Sequence, residues 1–457
     1  MAESSARIVI VGAGPAGVAA ATVLAQHGCR PVVIDEAHAP GGQVYRRPSA
    51  PVTLDAKALF GSQAGKFARL HAAFADLADR IEYRPRTLAW NVCNRAVHTL
   101  HAMRPEAYRY DALILANGAT DRVLPIPGWT LPGVYTLGGA QTLLKDQGAL
   151  IGREVVFCGS SPLLHLAALQ YLVAGGKVVA VLGTNKLARK FAAAPKLMSN
   201  PEALLRGLSY LAALRRRGVP IHHGVRLLAV EGGAKVAALR YRDPDGTERQ
   251  LAADAVALGF GLRAETQLAE LAGASLRHDP IFRQWLPATD EDGRCGDGLY
   301  AAGDGCAIGG ADAAGFSGRL AAYAVLDDLH VTTPQAEMVR LRRRIAGLRR
   351  FQQGLAEAFA FPFGWLSDTA DEVTLCRCES VTIGEVRSAM RRDVPPVDVN
   401  RAKAFTRCGM GRCQGRFCGL ALAELMAAES GLALERIGYL RAQAPVKPLP
   451  LGAAAGG

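Results

Sequence analysis

The stretch Arg7-Ile-Val-Ile-Val-Gly12-Ala-Gly14-Pro-Ala-Gly17 decides the fold of this chain, because an apolar run is followed by three spaced glycines. The apolar run predicts a buried strand, and the alanine-rich segment Pro15–His27 predicts a helix after the turn. Gly12 permits a tight turn, Gly14 lets a ligand approach the backbone, and Gly17 lets helix and strand pack closely. A diphosphate would lie at the positive N-terminal end of that helix. The stretch therefore predicts a dinucleotide-binding unit.

A second strand that ends in acidic residues follows this helix, Val32-Val-Ile-Asp35-Glu36. Asp35 lies eighteen residues after Gly17, where a carboxylate can accept hydrogen bonds from a ribose. A glycine fingerprint alone is weak evidence, but here the strand, the helix and the acid all stand at the expected spacing. The predicted cofactor contacts in this unit are Gly12, Gly14, Pro15, Ala16, Gly17, Asp35 and Glu36.

Length and composition favour a large α/β enzyme. A chain of 457 residues is long enough for about two to four domains. The 50 glycines and the 50% of hydrophobic residues suit a turn-rich folded protein rather than a disordered one. The net charge of +12 is partly concentrated in the arginine-rich run 340–350, which is predicted to be a solvated helix face, with docking of an acidic partner as the alternative. No RNA-binding motif accompanies this run, so a nucleic-acid partner is not expected.

Residues 8–25 carry no charge over eighteen positions and so mimic a membrane helix or the core of a signal peptide. However, Glu3 precedes them, no basic segment does, and the phosphate-turn glycines lie inside them. A strand, a turn and a helix explain every residue of the stretch. We therefore expect a cytoplasmic protein without a direct membrane span, with any membrane association made through partners.

The opening pattern is repeated once. Residues 154–164 read Glu-Val-Val-Phe-Cys-Gly-Ser-Ser-Pro-Leu-Leu, and Val178–Leu182 supplies the matching second strand. Here Ser161 and Leu164 occupy the second and third glycine positions, and Leu182 occupies the position of the ribose-binding acid. A Cβ at the second position obstructs a pyrophosphate, and leucine cannot bind a hydroxyl. We predict a dinucleotide-binding fold without a working NAD(P)H site.

Further small-residue turns extend the first unit. The paired glycines 41–42 allow a loop to fold back over a bound cofactor, and Asn117-Gly118 ends another buried strand. Asp304 stands between a strand and a glycine-rich helix start, where an aspartate suits a ribitol hydroxyl and backbone donors suit a flavin edge or a phosphate. The alternative is that Asp304 only caps the helix. The further predicted cofactor contacts are Gly42, Gln43, Asn117, Gly118, Gly303, Asp304 and Gly310.

The ten cysteines are unevenly distributed. Five are scattered singly among apolar residues and are interpreted as buried free thiols. The others form Cys376-Arg-Cys378 and Cys408-Gly-Met-Gly-Arg-Cys413-Gln-Gly-Arg-Phe-Cys418. Clustered cysteines without a secretory signal indicate metal or redox chemistry rather than a disulfide framework. A tetrahedral zinc site is the alternative, and we favour an iron–sulfur centre because glycines between the thiolates let backbone N–H groups face sulfur.

The motifs Gly12–Gly17, Asn117-Gly118, Gly259-Phe-Gly261 and Gly303-Asp304 together resemble the glutathione-reductase-like flavoprotein superfamily, over roughly residues 5–330. The resemblance implies FAD in the first unit, with ATP as the alternative occupant. The redox-active Cys-x-x-Cys of disulfide reductases is missing, so thiol–disulfide chemistry on this domain is not expected.

The Cys-x-Cys pair before a helix resembles the bacterioferritin-associated-ferredoxin-like [2Fe-2S] domain. That family places its second pair after a Gly-x-Gly, which here is Gly409-Met-Gly411. The resemblance thus implies the ligands Cys376, Cys378, Cys413 and Cys418. Cys408 is left over, and a second pair formed by Cys408 and Cys413 is the alternative.

The expected fold class is therefore α/β, a glutathione-reductase-like flavoprotein with two dinucleotide-binding domains and a small C-terminal bacterioferritin-associated-ferredoxin-like [2Fe-2S] domain. The expected divisions are a split FAD-binding domain (1–125 and 265–330), a degenerate NAD-binding-like domain (126–264), a helical linker (331–370), the [2Fe-2S] domain (371–440) and a tail (441–457).

With Gly41-Gly-Gln-Val-Tyr-Arg46, Pro125-Ile-Pro-Gly-Trp129, the cysteine module and the tail Pro445–Pro450, nearly the whole chain resembles the α (A-type) subunits of heteromeric FAD/[2Fe-2S] amino- and imino-acid dehydrogenases. That family includes the opine oxidases, D-hydroxyproline dehydrogenase and hydrogen cyanide synthase, and sarcosine oxidase is a more distant relative. The resemblance implies a partner β subunit that oxidises the substrate C–N bond at its own FAD, an FMN at the subunit interface, and a small ferredoxin-like γ subunit. Electrons would pass through the [2Fe-2S] centre to a respiratory acceptor.

The residues themselves agree with an electron-transfer role, since the sequence contains no catalytic triad, no paired carboxylates and no histidine placed for general base catalysis, and no catalytic residue is assigned. Two alternatives are a stand-alone NAD(P)H-dependent flavoprotein reductase and a scaffold subunit that a nucleotide merely stiffens. The first needs a functional second nucleotide site, and the second would give a colourless protein.

Overall fold

The structure is a computed structural model that describes residues 6–49 and 55–454. The first five residues of the predicted FAD-binding domain, its residues 50–54 and the last three residues of the predicted tail lie outside the described part of the chain.

The strands are β1 Ile8–Val11, β2 Val32–Ile34, β3 Glu82–Arg84, β4 Thr87–Cys93, β5 Ala96–His101, β6 Arg104–Arg109, β7 Ala112–Leu115, β8 Ala119–Asp121, β9 Val134–Thr136, β10 Glu154–Gly159, β11 Lys177–Gly183, β12 Ile221–His223, β13 Arg226–Gly232, β14 Val236–Arg242, β15 Glu248–Ala252, β16 Ala255–Gly259, β17 Leu262–Ala264, β18 Leu276–Asp279, β19 Gln284–Pro287, β20 Arg294–Gly296, β21 Leu299–Ala301, β22 Thr374–Cys376 and β23 Val381–Thr382.

The α-helices are α1 Pro15–Gln26, α2 Ala56–Phe60, α3 Ala64–Ala75, α4 Leu137–Gln147, α5 Leu164–Val173, α6 Leu187–Ala192, α7 Ala194–Leu197, α8 Pro201–Arg216, α9 Gln267–Leu271, α10 Gly310–Asp328, α11 Gln335–Ala358, α12 Ile383–Met390, α13 Val399–Thr406, α14 Gly419–Ser430, α15 Leu434–Ile437 and α16 Leu451–Ala454. Short 3-10 helices cover Gly61–Gln63, Gly303–Gly305 and Phe363–Leu366.

The first sheet has six strands in the order β20-β21-β7-β1-β2-β3 and is parallel except for β20. All four residues of β1 are buried, as expected for the centre of a parallel sheet that is covered on both faces. α1 and α10 lie against this sheet and approach each other so closely that a Cβ at Gly318 would lie 2.0 Å from the backbone oxygen of Ala16. The first domain is thus formed by the N-terminal segment together with β21 and α10, which come much later in the chain.

The second sheet repeats this plan with five parallel strands in the order β12-β11-β10-β16-β9. The antiparallel pair β8–β17 joins the two domains, since Thr120 pairs with Arg263. A bulge changes the register of β10 against β11: Val155 pairs with Val178, but Val156 pairs with Ala180. The architecture therefore has two dinucleotide-binding folds, as the sequence predicts.

The C-terminal module packs against the second domain rather than standing apart. α12, α13 and α14 share one hydrophobic core with β10, β14 and β16. The indole Nε1 of Trp129 donates a 2.7 Å hydrogen bond to the backbone oxygen of Thr374. The segment predicted as a helical linker forms α11, whose Met338, Leu341 and Phe351 are buried, so it also belongs to the packed structure.

Within residues 6–49 and 55–454, the helices are all too short or too polar to cross a membrane.

A buried group of three charges connects the module to the first domain. Glu424 on α14 accepts hydrogen bonds from Arg122 (3.1 Å) and, through both carboxylate oxygens, from Arg283 (2.8 and 2.6 Å). The side chains of Arg122 and Glu424 are 5% and 2% exposed. Burial lowers the pKa of Arg122 to about 10, which still leaves it charged at neutral pH. Removing the carboxylate of Glu424 would leave the buried guanidinium group of Arg122 without a counter-charge.

We expect Glu424→Gln to lower the free energy of unfolding by about 3–5 kcal/mol, because a broken buried ion pair leaves an uncompensated charge. Urea unfolding monitored by tryptophan fluorescence measures this loss. The control is Glu154→Gln, which breaks the pair of Glu154 with Lys177, whose side chains are 45% and 69% exposed. This control should cost less than about 1 kcal/mol. Equal small losses in both variants would contradict the prediction.

Candidate nucleotide and iron–sulfur sites

The glycine turn after β1 has the geometry that the sequence predicts. Gly12 adopts a φ of 106°, and a Cβ at this position would lie 2.4 Å from the backbone oxygen of Ala116. A Cβ at Gly17 would lie 1.7 Å from the backbone oxygen of Gly12. In the described residues the backbone N–H groups of Ala16 and Gly17 have no hydrogen-bond partner, and no side chain caps α1. These free donors at a helix N-terminus suit a diphosphate.

The two acidic residues after β2 have different surroundings. Asp35 accepts hydrogen bonds from the backbone N–H groups of Ala13 (2.5 Å) and Ala37 (2.7 Å), which holds its carboxylate beside the turn. Burial raises the pKa of Asp35. Glu36 is exposed and pairs with Lys447 of the tail. The structure therefore brings Asp35 to the turn and uses Glu36 to attach the tail.

The loop of paired glycines folds back over the turn. The backbone N–H of Gly41 donates to the backbone oxygen of Ala13 (2.8 Å), and a Cβ at Gly42 would lie 3.0 Å from the Cα of Gly14. The amide oxygen of Gln43 accepts a hydrogen bond from Thr142 Oγ1 (3.2 Å) on α4. Gly42 therefore faces the pyrophosphate turn, whereas Gln43 contacts the second domain.

The Asn117-Gly118 turn and the Gly303-Asp304 turn meet at the same edge of the first sheet. A Cβ at Gly305 would lie 3.4 Å from the backbone nitrogen of Gly118, and one at Gly303 would lie 3.0 Å from the Cβ of Ala16. The buried Oδ1 of Asn117 has no hydrogen-bond partner in the described residues. An unpaired acceptor in this cradle fits a nucleotide cofactor.

Asp304 caps a helix and lies beside the predicted cofactor contacts. Its Oδ1 accepts hydrogen bonds from the backbone N–H groups of Gly309 (2.9 Å) and Gly310 (3.0 Å) at the start of α10. Burial raises its pKa. In the described part of the chain Oδ2 has no partner, which leaves it available for a hydroxyl group. Gln352 of α11 donates to the backbone oxygen of Gly309 (2.9 Å), a contact that no sequence motif indicated.

The backbone N–H donors in the turn of the second domain are already hydrogen-bonded within the chain. The backbone N–H groups of Ser160 and Ser161 both donate to the backbone oxygen of Gly259 (2.8 and 3.0 Å). The Oγ of Ser161 accepts a hydrogen bond from the backbone N–H of Leu163. Leu163 and Leu164 are the counterparts of Ala16 and Gly17, and the backbone N–H of Leu164 donates to the backbone oxygen of Ser161 (3.3 Å). Ala16 and Gly17 of the first turn make no such bonds within the described residues. A pyrophosphate would therefore have to displace internal hydrogen bonds in the second domain.

The residue that corresponds to the ribose-binding acid lies one position after Leu182, which the sequence spacing had indicated. Because of the bulge in β11, Gly159 pairs with Gly183, whereas Leu182 pairs with Cys158. Gly183, and not Leu182, is thus the counterpart of Asp35. Neither residue can bind a ribose hydroxyl through its side chain.

Five cysteine sulfurs form one group at the start of the C-terminal module. The Sγ atoms of Cys376, Cys408 and Cys418 lie within 4.8 Å of one another, and all three residues are buried. The thiols of Cys408 and Cys418 both hydrogen-bond to Cys376 and lower its pKa to about 2. Cys408, the residue that the family resemblance left over, is therefore part of the group.

The two remaining cysteines adjoin this inner set. The thiol of Cys418 hydrogen-bonds to Cys413 and lowers its pKa to about 5, and Cys413 also contacts Cys378. Cys418 is the sulfur that contacts Cys376, Cys408 and Cys413 alike, and its pKa is raised by these contacts. The other five cysteines are free thiols away from this site, three of them only partly buried.

Backbone donors surround these sulfurs, as the glycine content predicted. The N–H groups of Gly409 and Glu379 point at the Cys376 sulfur. Those of Phe417 and Gly415 point at the Cys413 sulfur. Thiolates that accept N–H donors in a buried site fit an iron–sulfur cluster, and such donors also tune its reduction potential.

One arginine links the cysteine loop to the nucleotide domain. The Nε of Arg416, which lies between Cys413 and Cys418 in the chain, is 2.9 Å from a carboxylate oxygen of Glu265. Although burial opposes it, the charges of Arg263 and Arg416 lower the pKa of Glu265 and keep it ionised. The backbone N–H of Glu265 donates to the oxygen of Gly118. The two candidate cofactor sites are thus connected by a short chain of polar contacts.

Comparison with protein families agrees with this arrangement. Residues 6–325 match the pyridine nucleotide-disulphide oxidoreductase family, and residues 374–428 match the BFD-like [2Fe-2S] binding domain. Among solved structures, L-proline dehydrogenase from P. horikoshii superposes with a TM-score of 0.71 at 21% sequence identity, covering 98% of this chain and 79% of that one. The predicted fold class and the predicted FAD and [2Fe-2S] cofactors are confirmed.

Full-length relatives are components of oxidoreductases. The A-type subunit of opine oxidase from Agrobacterium tumefaciens is 37% identical, over 97% of this chain and 90% of that protein. Hydrogen cyanide synthase subunit HcnB from Pseudomonas aeruginosa is 31% identical, over 98% of both. The chain belongs to the family of A-type oxidoreductase subunits that includes these two proteins, and it combines an FAD-binding pyridine nucleotide-disulphide oxidoreductase fold with a BFD-like [2Fe-2S] domain.

Proposed function

We propose that this chain is the electron-transfer subunit of a heteromeric dehydrogenase that oxidises the C–N bond of an opine or of an amino or imino acid. The observation that supports it most directly is that Glu265 and Arg416 connect a nucleotide turn with free donors to the cysteine group, three of whose members are buried within 4.8 Å of one another. The similarity to the A-type subunit of opine oxidase supports the substrate class. Substrate oxidation is assigned to a partner β subunit with its own FAD, and a respiratory acceptor receives the electrons.

The proposed FAD contacts are Gly12, Gly14, Pro15, Ala16, Gly17, Asp35, Gly42, Asn117, Gly118, Gly303, Asp304 and Gly310, with ATP as the alternative occupant. Glu36 and Gln43 contribute through the tail and the second domain. When bound, a flavin supplies two-electron chemistry and a [2Fe-2S] cluster supplies one-electron chemistry. The residues of this chain bind and orient these groups and exclude water from them.

The proposed cluster ligands are Cys376, Cys378, Cys413 and Cys418. Cys418 contacts both Cys376 and Cys413, and Cys413 contacts Cys378, so these four sulfurs form a continuous series. Cys408 contacts Cys376 and Cys418 at the buried end of that series. It remains the alternative ligand in place of Cys418.

The proposed partners are two further chains, one of the β type and one small ferredoxin-like γ subunit, together with an FMN at the interface. We expect the chain co-purified with its neighbouring gene products to reduce a dye acceptor when octopine, nopaline, proline, hydroxyproline or glycine is supplied, and the chain alone to be inactive. The measurement is steady-state dye reduction over this substrate series. Rapid flavin reduction of the isolated chain by NADH would instead establish a stand-alone reductase.

Asp304→Ala should weaken flavin binding about tenfold or more, because it removes a carboxylate oxygen available to a ribitol hydroxyl. Flavin content after gel filtration and the dissociation constant measured by fluorescence quenching report the loss. The control is Asp398→Ala, which removes the N-cap of α13, where the side chain accepts from Asn400 and Arg401. If both variants lose similar stability and both keep their flavin, Asp304 is only a helix cap.

Cys376→Ser should reduce the iron content from about two atoms per chain to almost none and abolish the visible iron–sulfur bands. Cys418→Ser should do the same, whereas Cys408→Ser should retain iron. Cys93→Ser is the control, because Cys93 lies on β4, outside the cysteine group. Retention of iron by Cys418→Ser and its loss in Cys408→Ser would assign Cys408 as the ligand instead.

A further inference from the structure

A cluster of basic side chains, called here the basic cluster, lies at the carboxyl edge of the second sheet, where β10, β11 and β12 end. Lys190 on α6 places its Nζ 3.1 Å from the Nδ1 of His223, the last residue of β12. The same ammonium group lies over the ring of Phe359, 5.0 Å from its centre. Burial, and after it the charges of Lys190 and His223, lower the pKa of His165 on α5. Three basic side chains from three elements therefore converge here.

His223 occupies the space of the acid that the second domain lacks. Gly183, the counterpart of Asp35, pairs with His223 across β11 and β12. A Cβ at Gly183 would lie 3.4 Å from the Nδ1 of His223. In the first domain this position holds a carboxylate, which accepts hydrogen bonds from a ribose. In the second domain the same space is taken by an imidazole next to an ammonium group. This site therefore favours an anionic group of a ligand rather than a hydroxyl that donates hydrogen bonds.

The basic cluster has no acidic ion-pair partner among the described residues. Among the ion pairs of the described residues, none includes Lys190 or His165. Burial lowers the pKa of Lys190 to about 8. Burial, reinforced by the neighbouring positive charge of Lys190, lowers the pKa values of His165 and His223 to about 4. The two histidines are therefore neutral at neutral pH, and Lys190 is the charged group of the cluster. A half-buried ammonium group without an acidic partner is costly, and a bound anion would lower that cost.

Unpaired polar atoms lie at the same strand ends. The Oγ of Ser160, which is 2% exposed, and the Oγ1 of Thr184 have no hydrogen-bond partner in the described residues. Ser160 directly follows β10 and Thr184 directly follows β11. Buried hydroxyl groups without partners are uncommon, and both can donate to an oxyanion.

We propose that the basic cluster, with the hydroxyl groups of Ser160 and Thr184, binds the phosphate group of a phosphate monoester or free phosphate, and not a dinucleotide. The backbone N–H groups of Ser160 and Ser161 are bonded to Gly259, whereas the hydroxyl groups of Ser160 and Thr184 have no partner in the described residues. Lys190 supplies the positive charge, and Ser160 and Thr184 supply neutral donors. The proposal is independent of the role of the chain in electron transfer, because it uses none of the FAD or cluster contacts.

Isothermal titration of the full chain with inorganic phosphate, in a buffer free of phosphate and sulfate, tests the site. We expect saturable binding of one phosphate per chain, and Lys190→Met should weaken it about tenfold or more, since a charge-assisted contact is lost. Lys190→Arg should restore most of the affinity. Arg216→Met is the matched control, because Arg216 is an exposed cation on α8 outside the basic cluster.

Two further ligands distinguish the sources of the phosphate. Binding of AMP with the same dependence on Lys190 assigns the site to phosphate monoesters, and binding of inorganic phosphate alone assigns it to the free ion. His223→Gln is the second variant and should also weaken binding. Absence of saturable phosphate binding, equal weakening by Lys190→Met and Arg216→Met, or binding of NADPH that leaves phosphate excluded would each overturn the proposal.

Discussion

The close crossing of α1 and α10 over the first sheet is the constraint on which the rest of the structure depends. A side chain at Gly318 would enter the backbone of Ala16, and one at Gly17 would enter that of Gly12. Because both positions are glycine, the C-terminal return of the first domain lies directly on its N-terminal unit. That contact places Gly303 and Asp304 beside the phosphate turn. The cofactor cradle is thus assembled from segments that are about three hundred residues apart.

Buried ion pairs, and not a flexible linker, connect the [2Fe-2S] domain to the FAD-binding domain. Glu424 neutralises two arginines inside the contact between α14 and the first domain, and Arg416 neutralises Glu265 next to the cysteine loop. Such pairs contribute little net stability compared with apolar contacts, but they penalise any rearrangement that separates the partners. The contact between the domains therefore combines apolar packing with ion pairs that fix the relative position of the domains.

Most of the fold and of the cofactor chemistry could be predicted, because glycine spacing and cysteine pairing are local patterns with direct physical causes. That Gly183 is the counterpart of Asp35 could not be predicted. A single bulged residue in β11 shifts the register, and no residue type in the strand indicates a bulge. The buried group of Glu424 with Arg122 joins residues that are 302 positions apart, so no sequence spacing reveals it. Whether Cys408 is a ligand is likewise a question of three-dimensional proximity, since its sulfur lies within 4.8 Å of those of Cys376 and Cys418.

The tail has a consequence for how far the [2Fe-2S] domain can move. The backbone N–H of Val446 pairs with Trp90 on β4, its oxygen accepts from Arg416, and Lys447 pairs with Glu36. The [2Fe-2S] domain is thus attached to the rest of the molecule on both its N-terminal and its C-terminal sides. A domain held in this way cannot swing between a donor and an acceptor as a mobile carrier does. The distance between the nucleotide site and the cysteine site is therefore a fixed property of the fold.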